Sequence, residues 1–117
     1  MLPKDDRIRL RHMLDAARKA RRLAAGSDRK ALEDEDNPLA DALVHLISVI
    51  GEAAARVNPG TRSELNEIPW SDIVGMRNRL IHAYFDINLD ILWATVQDSL
   101  LPIIQALESV LSENDRV

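Results

Sequence analysis

The stretch Arg77-Asn78-Arg79-Leu80-Ile81-His82-Ala83-Tyr84 concentrates the side chains of this 117-residue chain that could do chemistry. A guanidinium is a planar, permanently charged fork that matches phosphate oxygens. An imidazole, with an ordinary pKa of about 6.5, takes up and releases protons near neutrality. Arg77 and His82, with the Asn78 amide and the Tyr84 phenol beside them, could therefore bind an oxyanion and manage protons without a metal. Taken alone, the pair is also compatible with an ion-paired surface arginine and a histidine that ends a helix, where an imidazolium suits the negative dipole end.

Other chemistries find little support. Cysteine is absent, which excludes disulfides, thiolate metal sites and thiol nucleophiles. No Gly-rich phosphate loop, Ser-His-Asp order or pair of catalytic carboxylates is visible. His82 and Asp86 stand four apart, but two ligands without a third do not make a metal site, so no metal and no cofactor are expected. His12 and His45 fall within the first two helices and read as packing or surface residues.

The motif must be carried by a helix. At about 100° per residue, Trp70, Ile73, Val74, Leu80 and Ile81 share one stripe, with Arg77 in its middle and Tyr84 extending it. A charge aimed into an apolar stripe needs a partner. Ser71, Gly75, Asn78 and His82 form a second line, with Asn78 one turn before His82. Gly75 costs helix stability there unless another backbone or a ligand comes close.

The surrounding periodicity predicts an all-α, up-and-down bundle of four to five helices in a single domain spanning residues 1–117, with no period-two alternation and no internal repeat. Helix one is expected from Pro3 to Ala25, with Leu10, Met13, Leu14, Ala17 and Ala24 inside and Gly26 as its stop. An irregular stretch follows from Ser27. Helix two is expected from Asn37-Pro38 to Val57, apolar over more than one face and hence central or in contact with another subunit. A turn over Thr61–Asn66 leads to the motif helix at Pro69 or Trp70. Leu89, Leu92, Trp93, Val96 and Leu100 mark a fourth helix, and Ile103, Ile104, Leu107, Val110 and Leu111 a fifth. Pro102 implies a break or kink near residues 98–101.

The net charge of −4 argues mildly against bulk electrostatic attachment to nucleic acid, yet it is unevenly spread. Residues 1–30 hold ten Lys or Arg against four Asp, and residues 31–117 hold five against fifteen acidic residues. The arm with Arg18, Lys19, Arg21, Arg22, Arg29 and Lys30 could follow a phosphate backbone, or could be a solvated face that pairs with Glu33-Asp34-Glu35-Asp36. No apolar signal segment and no membrane-length run is visible, so a soluble cytoplasmic protein with no membrane contact is expected.

Arg77, four residues, His82, one residue and Tyr84 resemble the R-x-x-x-x-H-x-Y motif of the HepT-like toxins, a branch of the HEPN superfamily of helical ribonucleases. Ile50-Gly51-Glu52-Ala53-Ala54, Ile68-Pro69-Trp70, Ile73-Val74-Gly75-Met76-Arg77-Asn78, Tyr84-Phe85-Asp86-Ile87 and Trp93 look like the family's pattern in the family's order, over nearly the whole chain. The resemblance implies a metal-independent endoribonuclease toxin in which the RNA's 2′-hydroxyl attacks the adjacent phosphorus. Catalysis would fall to Arg77 and His82, supported by Asn78 and, more weakly, by Glu52. It also implies a homodimer with the motif of both protomers in one cleft. On a straight helix Arg77 and His82 stand about 140° apart, so either the helix loosens near His82 or two copies share the site. The implied partner is an MntA-type nucleotidyltransferase antitoxin that transfers AMP onto Tyr84. The alternative is a non-catalytic subunit that presents nucleotide or substrate to such an enzyme.

Overall fold

The computed structural model describes residues 2–80 and 86–114. Its α-helices are α1 (Lys4–Ala25), α2 (Leu39–Arg56), α3 (Pro59–Glu64), α4 (Trp70–Leu80), α5 (Leu89–Ala94) and α6 (Leu100–Asn114). Every extended run of regular structure among the described residues is helical, as the periodicity requires.

The expected α1 stripe is buried, with Ala16 and Ala20 added to it. Asp5 and Asp6 occupy its first turn and Arg22 its last, which suits the helix dipole at both ends. The stretch expected to be irregular holds a short 3-10 turn, Arg29–Glu33, whose Ala31 N–H donates to the Asp28 carboxylate at 3.1 Å. Asn37 then accepts from the Leu39 N–H at 3.0 Å and starts α2.

Helix α2 packs against α1 on one side and α4 on the other, which accounts for apolar residues over so much of its surface. Leu43, Ile47, Ile50 and Ala54 are fully buried, while His45, Glu52 and Arg56 remain outside. Gly51 marks the crossing with α4. A Cβ there would lie 3.4 Å from the Ile73 carbonyl oxygen and 3.7 Å from that of Val74.

The turn into α3 starts two residues earlier than its sequence suggests, because Asn58 accepts from the Gly60 N–H at 3.0 Å and Pro59 suits a first turn. Asp6 ties this turn to α1. Its carboxylate, 2% exposed, accepts from the Thr61 hydroxyl at 2.6 Å and the Asn58 N–H at 3.1 Å, with Arg9 3.6 Å away.

Where a break or kink is expected before Pro102, the helix is disturbed but not interrupted. Helices α5 and α6 are joined by a π-helical turn, Thr95–Ser99, in which the Leu100 N–H reaches five residues back to the Thr95 carbonyl. Pro102 brings no N–H to the ladder, and the wider turn absorbs its ring without ending the rod. Arg21 donates to the Val96 and Gln97 carbonyls at 3.1 and 2.8 Å, partners that this irregular turn leaves open to an outside donor.

Candidate active site on helix α4

Helix α4 presents its motif differently from the simple wheel. Ile73, Met76 and Leu80 form the buried stripe at 0%, 3% and 0% exposure, and Arg77 is exposed. The stripe is centred one residue earlier than expected, since the 73–76–80 spacing buries three apolar side chains and turns Arg77 about 100° from Met76. Arg77 is therefore not a buried charge within the single chain. Trp70 is half-buried and Val74 is 38% exposed, so Trp70, Val74 and Arg77 follow one another along the outward side of α4. Arg77 makes no ion pair or hydrogen bond among the described residues.

Asn78 is exposed beside it. His82 and Tyr84 lie outside the described residues, as do Ile81, Ala83 and Phe85. The described chain resumes against the C-terminal end of α4, where the Asn88 N–H donates to the Leu80 carbonyl at 2.8 Å. Asn88 then accepts from the Ile91 N–H at 3.0 Å and opens α5.

Among the described residues no backbone of another element comes within 4 Å of where a Gly75 Cβ would stand. The Arg79 guanidinium folds back over it to donate to the Asp72 carbonyl at 2.8 Å, and a Cβ on Gly75 would stand 3.2 Å from Arg79 Nη1. The two helical glycines should therefore answer oppositely to enlargement. Gly75→Ala displaces only the end of a flexible side chain and gains helix propensity, with an expected stabilisation of about 0.5–1 kcal/mol in urea unfolding. Gly51→Leu drives a side chain into the α4 backbone and is expected to cost about 1–3 kcal/mol.

The basic arm is largely committed to the fold. Arg18 pairs with Glu108 at 2.6 Å, and Arg29 with Asp90 at 2.6 Å and Glu33 at 3.0 Å. The hydrogen bond to Asp90 holds the Arg29 pKa above its usual value. Of the expected acidic run, Glu33 pairs with the arm in this way. Lys19, Arg22 and Lys30 remain outward-facing. His12 and His45 are exposed, and no cluster of three potential metal ligands occurs among the described residues. No described helix is long and apolar enough to cross a membrane.

At the start of α4 the structure shows an open hollow of about 580 Å³ that the stripe reading does not reveal, lined by Pro59, Arg62, Ser63, Trp70, Ser71 and Val74. The Trp70 indole N–H donates to the Leu65 carbonyl at 3.0 Å, which fixes the ring at its wall. The signal in the sequence was the Trp70–Val74–Arg77 spacing, which the stripe assignment had given to the core.

Comparison with known proteins agrees with this architecture. The family described as Ribonuclease HepT-like matches residues 13–110. Over 62 residues the chain is 39% identical to a provisionally named RNase of Caldanaerobacter subterraneus subsp. tengcongensis, covering 53% of this chain and 55% of that one. Over 59 residues it is 36% identical to the probable ribonuclease HepT of Thermococcus cleftensis, covering 50% and 54%. A Methanocaldococcus jannaschii protein, named as a gamma-glutamylcyclotransferase with a provisional RNase assignment, is 28% identical over 116 residues, or 97% of this chain and 50% of that one. The chain spans about half the length of these relatives. No solved structure matches it significantly. The family match across the body of the bundle, α4 included, shows that this chain belongs to the HepT-like ribonuclease family.

Proposed function

We propose that the chain is a metal-independent endoribonuclease acting through Arg77 and His82. The observation that carries this is an exposed arginine with no partner among the described residues, on the motif helix of a HepT-like chain. A guanidinium held by the fold but not neutralised by it is free to take phosphoryl oxygens. The 2′-hydroxyl of the substrate attacks phosphorus, a 2′-O–P bond forms and the P–O5′ bond breaks. Arg77 stabilises the charge on the non-bridging oxygens. The imidazole of His82 takes the 2′-hydroxyl proton or, as imidazolium, protonates the departing 5′-oxygen. A homodimer that pools the motif of both protomers supplies one imidazole for each transfer and relieves the angular separation of Arg77 and His82 along one helix. Asn78, one turn from His82, orients the ring or donates to phosphate.

The same reading makes the protein a cytoplasmic toxin of a toxin-antitoxin pair, silenced by an MntA-type nucleotidyltransferase that transfers AMP to Tyr84. The added phosphate brings negative charge and bulk near Arg77 and competes with RNA for its guanidinium. Intact-mass measurement after co-expression with an adjacent nucleotidyltransferase tests this directly. Whole AMP increments that vanish in Tyr84→Phe are expected; an unmodified mass in both, or increments that persist in Tyr84→Phe, would remove Tyr84 as the acceptor. For the nuclease itself, RNA digestion by purified protein in EDTA should be lost in His82→Ala. Equal digestion by both proteins would mark a contaminant and favour a non-catalytic nucleotide-binding subunit.

A further inference from the structure

The hollow between α3 and the start of α4 has the makings of a nucleobase site. Its aromatic wall is Trp70, half-buried and held by the bond from its indole N–H to the Leu65 carbonyl at 3.0 Å. Val74, 38% exposed, continues the apolar surface. Arg62 and the hydroxyls of Ser63 and Ser71 supply the polar lining, and no carboxylate lines the hollow. Its volume of about 580 Å³ is in the range of pockets that hold small organic ligands. Trp70 and Arg77 are seven residues apart on α4, which sets them about 20° apart around the axis and about 10 Å apart along it.

From this we infer that Trp70 stacks against a base of the RNA substrate, in the nucleotide next to the phosphodiester held by Arg77, while Arg62 meets the phosphate of that nucleotide. The inference rests on the ribonuclease reading and adds to it a subsite away from the reacting atoms. Charge complementarity favours RNA over a second copy of the chain as the occupant. The described lining offers one cation and two serines without an acid, and Arg77 follows about one turn beyond Val74 on α4. A stacked base explains why an aromatic face is left open where an aliphatic side chain would complete the core. It also gives the site a means of preferring unpaired over duplex RNA, because a base must leave its helix to lie flat on the ring.

The test uses the full chain carrying His82→Ala, so that RNA is bound without being cut, together with Trp93→Phe, so that Trp70 is the sole tryptophan. Titration with a single-stranded adenine decanucleotide is expected to quench the Trp70 fluorescence. Trp70→Leu, which keeps apolar volume but no π-face, is expected to weaken binding about 10-fold by fluorescence anisotropy of a labelled oligonucleotide. Trp70→Phe should remain within about 2-fold, since stacking survives the loss of the indole N–H, and Arg62→Ala should reduce the salt dependence of binding. In the otherwise unmodified chain, Trp70→Leu should raise KM and leave kcat nearly unchanged. Unquenched fluorescence with equal affinity of Trp70→Leu and its parent would overturn the inference. So would a fall in native mass of Trp70→Leu without RNA, which would assign the hollow to a contact between copies. Neither result touches the assignment of Arg77 and His82, whose failure would appear instead as unaltered cleavage by their own variants.

Discussion

Arg77→Ala is expected to lower the rate of RNA cleavage about 10²- to 10³-fold, the usual loss when one preorganised donor to a developing oxyanion is removed. Arg77 is exposed, and the buried contacts of α4 run through Ile73, Met76 and Leu80 instead. The variant should therefore melt within about 0.5 kcal/mol of the parent, which separates a catalytic loss from a folding defect. Arg77→Lys restores the charge but not the two-pronged geometry and should recover only part of the rate. Single-turnover cleavage of a defined RNA, read alongside thermal melts, checks both statements. An Arg77→Ala protein that cleaves at the parental rate would place phosphate stabilisation elsewhere.

The largest expected effect on stability belongs to a residue far from the motif in sequence. Asp6→Ala removes the acceptor shared by the Thr61 hydroxyl and the Asn58 N–H, and the buried end of the interaction with Arg9. Leaving buried donors without partners is costly, and the expected destabilisation is about 3 kcal/mol. For a domain of this size that corresponds to a fall in Tm of about 10–20 °C. Asp6→Asn keeps one acceptor and should lie between the two. Calorimetry or circular dichroism melts decide the matter, and a change below about 1 kcal/mol would mean that water replaces the carboxylate at little cost.

The helices were legible in the sequence because their signals are local. Pro3 before α1 and Asn37-Pro38 before α2 carry capping or first-turn chemistry at the observed boundary, whereas Asn58-Pro59 reads as the end of α2 and also opens α3. Features that depend on tertiary partners were not legible. Whether the stripe of α4 centres on Met76 or Arg77 is a difference of one residue, which only the packing of α4 against Gly51 of α2 decides. Pro102 signals a disturbance, but a π turn rather than a break forms where Arg21, some 75 residues upstream, satisfies the loosened carbonyls. Asp6 reads as a first-turn acid like Asp5, and nothing nearby in sequence reveals that its carboxylate is buried against Thr61.

For the site, the sequence supplied the residue types and the fold supplied their setting. Exposure of Arg77 and Asn78 suits both for contact with a substrate, while Arg18, Arg21 and Arg29 of the basic arm are bound to internal partners. Lys19, Arg22 and Lys30 keep the outward charge of the arm, whereas neutralising Arg18 or Arg21 should weaken the fold before it weakens cleavage.

The end groups of the RNA products test the central claim most directly. Purified protein incubated with a 5′-labelled single-stranded RNA in EDTA should leave a 2′,3′-cyclic phosphate on one fragment and a free 5′-hydroxyl on the other, with both absent in Arg77→Ala and His82→Ala. Products ending in 3′-hydroxyl and 5′-phosphate, or the same cyclic products from all three proteins, would contradict it.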